Sequence, residues 1–340
     1  MMTNLPVSQY QDKDDALHFY PGEKYYEWWY LDAQFDNGYS CVITFHYRLV
    51  FAEPHMPCIQ LHIYAPGGKK QVVYKPFEIN DVRASEDHCD VQMGDSFVRQ
   101  ENGAYKVSVH TKGGYVIEKG AVVFDESADA GAELIFRNIL PGWKPEGTGI
   151  LLDKGDAVQG WVVPIPRAEV EGTLFIGETA IKVKGNRGYH DHNWGNTNIY
   201  DFFSGWYWGR LYDDKYTLIY GWVYPVNKKD GMSAKLYLAR ENKPILITEH
   251  FKLQEKNIRM DEELNRRYAG ELVLASKDKD VSFKCSMQTK SVVEKVDMSA
   301  VALWPIYYWR FLADYKAEIK VGGRTEKVNG ETLHEYMLFK

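Results

Sequence analysis

The stretch Tyr39-Ser40-Cys41-Val42-Ile43-Thr44-Phe45-His46-Tyr47-Arg48-Leu49-Val50 decides the fold. One alternate set, Tyr39, Cys41, Ile43, Phe45, Tyr47 and Leu49, is apolar or aromatic, and the other, Ser40, Val42, Thr44, His46, Arg48 and Val50, is mostly polar. A period of two puts the sets on opposite faces of a pleated strand, so a half-buried antiparallel strand is expected. The same texture recurs at Ile59–Tyr64, Ala104–His110, Tyr216–Tyr224, Val281–Cys285 and Tyr315–Lys320. Hairpin chemistry stands at Asp36-Asn37-Gly38, Pro66-Gly67-Gly68, Glu101-Asn102-Gly103, Lys229-Asp230-Gly231 and Val328-Asn329-Gly330, because Asn and Gly accept the positive φ of tight turns. Two segments read as short helices, Asn257–Tyr268 and Leu303–Asp314, the second started or kinked near Pro305. Gly160–Arg167, with Pro164 and Pro166, reads as a connecting loop or a sheet edge. The expected fold class is mainly β, with strands at short spacing forming barrels or sandwiches.

A chain of 340 residues is comfortable for two domains. The expected division is 1–196 and 197–340, with the seam near Gly195–Tyr200. Lys plus Arg number 41 against 47 Asp plus Glu, a formal net charge of −6, which argues against a nucleic-acid partner because that needs a basic face. The 10 Trp, 24 Tyr and 15 Phe favour strands and supply wall material for a large apolar pocket. No apolar stretch approaches the ~18–20 residues of a transmembrane helix. The start, Met1–Gln11, lacks the pattern of a signal peptide. Cys41, Cys58, Cys89 and Cys285 show no CxxC spacing, so reduced thiols and a cytoplasmic location are expected. Nothing in the sequence indicates an oligomeric state.

Two segments carry candidate chemistry, Glu27-Trp28-Trp29-Tyr30-Leu31-Asp32 and Gly188-Tyr189-His190-Asp191-His192-Asn193-Trp194-Gly195. On a strand His190, His192 and Trp194 share one face, and Asp191 and Asn193 the other. Two imidazoles on one face make half a metal site, but no spacing nominates His46, His62 or His110 to complete it, so no metal is expected. The pair can also stitch strand ends by hydrogen bonds. The reading carried forward is a metal-free polar site in an aromatic pocket. Trp28 and Trp29 face opposite ways, one of them a candidate for core or for a barrel plug. Downstream, Trp206 shares a face with Trp208, and Tyr216, Tyr220, Trp222 and Tyr224 share another alternation. The chain lacks GxSxG, P-loop and GxGxxG signatures, and no cofactor is implied.

The early Glu27-Trp28-Trp29-Tyr30 paired with the later Tyr189-His190-Asp191-His192-Asn193-Trp194-Gly195 resembles the carotenoid 1,2-hydratase family, also called hydroxyneurosporene synthases. That family is grouped with lipocalin-like AttH proteins, kievitone hydratase and fungal intramolecular Diels–Alderases. The resemblance runs from about Glu27 to Phe339. It implies two lipocalin-like β-barrel or β-sandwich domains with a ligand cavity between or within them. It also implies catalytic roles for His192 and Trp194, and for a Tyr whose counterpart by spacing is Tyr220. The acidic residue expected two positions further on is replaced by Trp222. A proton donor is then sought in Asp191, Asp201 or Glu27.

The function expected is an enzyme acting on a lipophilic polyene or terpenoid-like substrate, by proton-initiated hydration, isomerisation or cyclisation at a C=C bond. A pericyclase and a lipid or isoprenoid carrier are the alternatives. The expected catalytic residues are His192, Trp194, Tyr220 and Asp191. The expected substrate-binding residues are Glu27, Trp28, Trp29, His190, Trp206, Trp208 and Trp222. His192, Trp194, Tyr220 and Trp222 are expected to line one aromatic cavity. The partner expected is a lipophilic small molecule, and transient contact with a membrane surface is compatible with such a substrate.

Overall fold

The computed structural model describes residues 10–49, 56–118, 121–230, 233–278, 280–299, 302 and 304–339. Among these residues helix is confined to five short 3₁₀ turns, and the rest of the regular structure is antiparallel strand. The chain divides into two compact units that meet in sequence at Ile199 and Tyr200. Each contains one curled antiparallel sheet.

The strands of the first unit are β1 (Tyr26–Gln34), β2 (Ser40–Arg48), β3 (Cys58–Tyr64), β4 (Lys70–Pro76), β5 (Val82–Ala84), β6 (Asp90–Met93), β7 (Ser96–Glu101), β8 (Ala104–Thr111), β9 (Gly114–Glu118), β10 (Ala121–Asp125), β11 (Ala130–Asn138), β12 (Ile150–Lys154), β13 (Ala157–Ile176) and β14 (Thr179–Gly195). Their order is β10-β9-β4-β3-β2-β1-β14-β13-β11-β8-β7-β6-β5, with β12 alongside β13. The long β13–β14 hairpin is the spine, and β1 lies against its other side. The inner face buries Trp29, Leu31, Ile43, Phe45, Phe136 and Ile165 in one core. Each such side chain contributes roughly 1.5–3 kcal/mol by leaving water.

The second unit holds β15 (Phe203–Tyr212), β16 (Tyr216–Pro225), β17 (Ser233–Arg240), β18 (Lys243–Thr248), β19 (Lys252–Asp261), β20 (Arg266–Asp278), β21 (Val281–Asp297), β22 (Ile306–Val321) and β23 (Arg324–Phe339). Their order is β18-β17-β16-β15-β23-β22-β21-β20-β19. Two curled antiparallel sheets thus bear out the mainly β reading. All four cysteines are buried free thiols. No helix among the described residues is long and apolar enough to cross a membrane.

Several local expectations are overturned. Asn257–Tyr268 belongs to β19, a turn and β20, and Leu303–Asp314 falls mostly in β22, Leu303 lying outside the described residues. In both places cross-strand pairing overrides local helix preference, and in β22 the run Ile306-Tyr307-Tyr308-Trp309 is itself strand-forming. Gly160–Arg167 is neither loop nor edge but lies within β13, paired to β14. Pro164 and Pro166 are accommodated because the register shifts between Val162 and Ile165 and again before Ala168, and bulges need no donor there. Val328-Asn329-Gly330 is not a turn but mid-strand in β23. Gly330 serves close packing, since a Cβ there would stand 3.0 Å from the Tyr315 hydroxyl. The hairpin turn is made instead by Gly322-Gly323, both at positive φ. The run Tyr39–Val50 is strand from Ser40 to Arg48, but both of its faces are buried at the centre, and Val50 lies outside the described residues.

Candidate active site

The β14 register determines what its side chains meet. His192 lies opposite Trp29 of β1 and Val162 of β13, and His190 opposite Leu31 and Ile165. The two imidazoles therefore point into the core face, where both are fully buried. An unpaired polar group there would cost several kcal/mol, so partners are required. They come from the segment before β1. The 3₁₀ turn Asp12–Asp15 ends on Asp15, whose carboxylate is fully buried. Asp15 Oδ2 accepts a hydrogen bond from the Tyr105 hydroxyl at 2.8 Å and lies 2.9 Å from His190 Nε2. His190 Nδ1 is 2.9 Å from the Tyr30 carbonyl, which only accepts, so this nitrogen carries a proton and the ring orientation is set.

His192 is held between two carboxylates. Its Nε2 stands 2.7 Å from Glu27 Oε1 and its Nδ1 3.2 Å from Asp15 Oδ1, the latter an ion-pair contact outside hydrogen-bond alignment. Glu27 is also fully buried, accepts the His18 backbone N–H at 2.8 Å, and takes the Tyr25 hydroxyl on its other oxygen. His18 Nδ1 is 3.5 Å from Glu27 Oε1, and the His18 side chain is 26% exposed. The result is an alternating series, His18, Glu27, His192, Asp15, His190, running from a partly exposed ring into a dry core. Burial by itself lowers an imidazole's pKa, but the Asp15 and Glu27 carboxylates outweigh it and raise His192 to about 9. Burial likewise opposes ionisation of Glu27 and Asp15, yet His18 and His192 hold Glu27 below its usual value, and His190 and His192 do the same for Asp15.

Aromatic rings clamp the series. Trp29 stacks on His192 with centroids 4.3 Å apart and donates its indole N–H to the Asp15 carbonyl at 3.0 Å. The Trp194 ring lies flat on His18, at 3.7 Å and 4°. Trp194 can lie there only because β13 presents Gly160, where a Cβ would fall 2.1 Å from the indole. Trp28 faces the other way and stacks on Tyr26 at 5.3 Å.

Asp191 also lies on that other face. Its carboxylate accepts from the Trp161 indole, the Tyr189 hydroxyl and the Asn193 amide at 3.1, 2.9 and 2.9 Å. It is thus separated from His192 by the strand itself. His46 and His62 join through Gln60, and His110 meets Glu133 at 3.1 Å, so none of the three completes a set around His190 and His192. Asp201 is exposed.

Among the described residues two triads bring ligand-type atoms together, Asp15–Cys89–His190 and His18–Glu27–His192. The 2.7 Å between Glu27 Oε1 and His192 Nε2 is the length of a charge-assisted hydrogen bond. It is shorter than the roughly 3.3 Å edge of a tetrahedral site built on ~2.0–2.1 Å zinc bonds. Proton sharing fits this donor set better than an ion. The sequence reading missed Asp15, His18, Tyr25 and Tyr105. Asp15 closes the charge run Asp12-Lys13-Asp14-Asp15, which reads as a solvated surface, and only the register of β14 reveals its burial.

Tyr220, Trp222, Trp206 and Trp208 belong to the second unit. Tyr220 and Trp222 face its core. Trp222 pairs across the sheet with Tyr207, so Trp206 and Trp208, which flank Tyr207, lie on the opposite face from Trp222. There Trp206 packs edge-on against Phe339 and Trp208 lies under Arg210.

The chain shares its fold with solved structures of the lipocalin-like AttH type. Over 98% of its length it superposes on 98% of an AttH protein from Nitrosomonas europaea, with a TM-score of 0.66 and 16% identity. CghA in complex with Sch210972 matches 93% of this chain and 89% of its own at TM-score 0.64 and 12% identity. Kievitone hydratase from Nectria haematococca matches 93% and 89% at TM-score 0.57 and 13% identity. In sequence, a hydroxyneurosporene dehydrogenase of Chlorobaculum tepidum is 41% identical over 66 residues, 18% of this chain and 17% of that relative. The match thus spans about one sixth of the curated relative's length. No protein-family model matches the chain. The solved structures thus share the fold that the paired motifs imply.

Proposed function

We propose that the protein is an enzyme acting on a lipophilic polyene or terpenoid-like molecule, by proton-initiated hydration, isomerisation or cyclisation at a C=C bond. The observation that carries this reading is the series His18–Glu27–His192–Asp15–His190, in which a buried imidazole is hydrogen-bonded to one buried carboxylate and in ion-pair contact with a second. A carrier has no need of such a series, and burying it without use costs stability. His192 holds a proton near neutral pH, Glu27 lies between it and His18, and His18 is the end that solvent or substrate can reach. Tyr25 and Tyr105 fix the two carboxylates from outside the series. The Trp194 ring lies behind His18, where its π face favours positive charge developing nearby. In hydration the proton adds to one alkene carbon and water to the other, with return of a proton to the series. In isomerisation or cyclisation a proton is lost from a neighbouring carbon instead. The carotenoid-like substrate class rests on the short match to the Chlorobaculum tepidum relative and on the paired motifs.

The test is turnover of lipophilic cell extracts in D₂O, read by mass spectrometry. Proton-initiated chemistry places deuterium on carbon in the product, and Glu27→Gln abolishes it. An isomer formed without deuterium makes the protein a pericyclase, and unchanged, retained material makes it a carrier. Either outcome overturns the proposal.

A further inference from the structure

Among the described residues of the second unit, His334 and Tyr220 are core side chains whose polar atoms lack hydrogen-bond partners, as do the Tyr216 hydroxyl and the Trp222 indole N–H. His334 is fully buried, and neither ring nitrogen has a hydrogen-bond partner. Tyr220 is fully buried, and its hydroxyl is likewise unpaired. Buried imidazoles and phenols almost always find partners, so two unpaired together call for an explanation. They are neighbours by register, because Tyr220 lies opposite Gly209, and Gly209 opposite His334, across three adjacent strands. The missing Cβ of Gly209 lets them approach, since a carbon there would be 2.8 Å from His334 Cβ and 2.9 Å from the Tyr220 hydroxyl. Apolar rings surround the pair, with Phe311 5.0 Å from His334 and Phe251 6.5 Å from Tyr220.

The next row of the same face is Trp222, Tyr207, Tyr336 and Trp309, of which Tyr207 and Trp309 are fully buried. Trp222 and Tyr336 are partly exposed there, as is Tyr224. The face thus runs from these partly exposed rings to a fully buried end holding His334 and Tyr220.

We infer that the interior of the second unit binds a neutral, lipophilic molecule carrying one carbonyl or hydroxyl oxygen, which hydrogen-bonds to His334 and Tyr220. The neutrality follows from the donors. Burial keeps His334 uncharged, with its pKa pushed down to about 3, so the ring offers one N–H and one acceptor. The Tyr220 hydroxyl can do either as well. Neither group can offset the desolvation of a carboxylate or phosphate, whereas one uncharged oxygen satisfies both. This inference stands apart from the proton series, because it concerns where an apolar molecule is held and not how a proton reaches it.

The probes are farnesol and the matching hydrocarbon farnesene, titrated against the full chain and followed by tryptophan fluorescence and by the ring ¹⁵N signals of His334. Farnesol is expected to bind about tenfold more tightly than farnesene, the effect of one to two net hydrogen bonds. It should also shift the His334 ring signals, which farnesene leaves in place. His334→Phe should bring the two affinities within about threefold while retaining farnesene binding, and Tyr220→Phe should give part of that loss. Equal affinities in the wild type, no binding of either probe, or a preference that survives His334→Phe would each overturn the inference. Glu27→Gln separates the two proposals, since it should abolish deuterium transfer and leave the farnesol preference untouched.

Discussion

The cores of the two units treat buried polar groups in opposite ways. In the first, Asp15, Glu27, His190 and His192 are fully buried, and each faces a partner of opposite kind within 3.2 Å. In the second, His334 and Tyr220 are as deeply buried and have no hydrogen-bond partner. A closed network of charges holds its own protons and specifies its own geometry. An open pair is complete only when something else supplies the missing partner. On the two proposals, the first core moves or holds a proton and the second receives an oxygen.

The comparison breaks most sharply by truncation. His192→Ala leaves two buried carboxylates facing a void, and should lower unfolding stability by about 3–5 kcal/mol, the cost of breaking a buried ion pair. Turnover of a responsive substrate should fall by roughly 10²–10⁴. His334→Phe removes only unsatisfied groups, so its melting temperature should match or exceed that of the wild type. Equal destabilisation by the two variants would erase the distinction between the cores.

A smaller effect separates the two faces of β14. Asp15→Asn should abolish turnover by removing a member of the series. Asp191→Asn, on the opposite face, should reduce it by less than about tenfold and act mainly through lost hydrogen bonds to Trp161 and Tyr189. The reverse order would move the proton donor to Asp191. Gly160→Ala should displace the Trp194 ring, costing about 1–3 kcal/mol and exposing His18 to faster hydrogen exchange at its ring.

The pH dependence of stability gives the mildest test. Because the folded His192 pKa is raised to about 9, its contribution is complete below the unfolded value near 6.5 and fades as pH rises through 9. Glu27 and Asp15 are depressed, so their contribution is present above about pH 4.5 and is lost on acidification. The first unit should be most stable between about pH 4.5 and 6.5. His192→Ala should flatten the alkaline limb in thermal melts.

Much was legible in the sequence because alternation is a local property. The run Ser40–Arg48 and the shared face of His190, His192 and Trp194 follow from a period of two, and the hairpin at Asn37-Gly38 from the positive φ that Gly38 adopts. The opposite orientation of Trp28 and Trp29 follows from the same rule. Pairing between strands is not local. It turned Asn257–Tyr268 and Leu303–Asp314 from apparent helix into strand, carried Pro164 and Pro166 into the spine on bulges, and made Gly330 a packing site for a Tyr315 ring. The same non-local register set Gly209 between Tyr220 and His334, two residues 114 positions apart in the chain. It also buried Asp15 beside His190, 175 positions away. By itself the sequence determined the mainly β class and the faces on which the chemistry of β1 and β14 stands. Only the tertiary structure decided which of those faces meet, because a buried charge finds its partner through strand register and not through spacing along the chain.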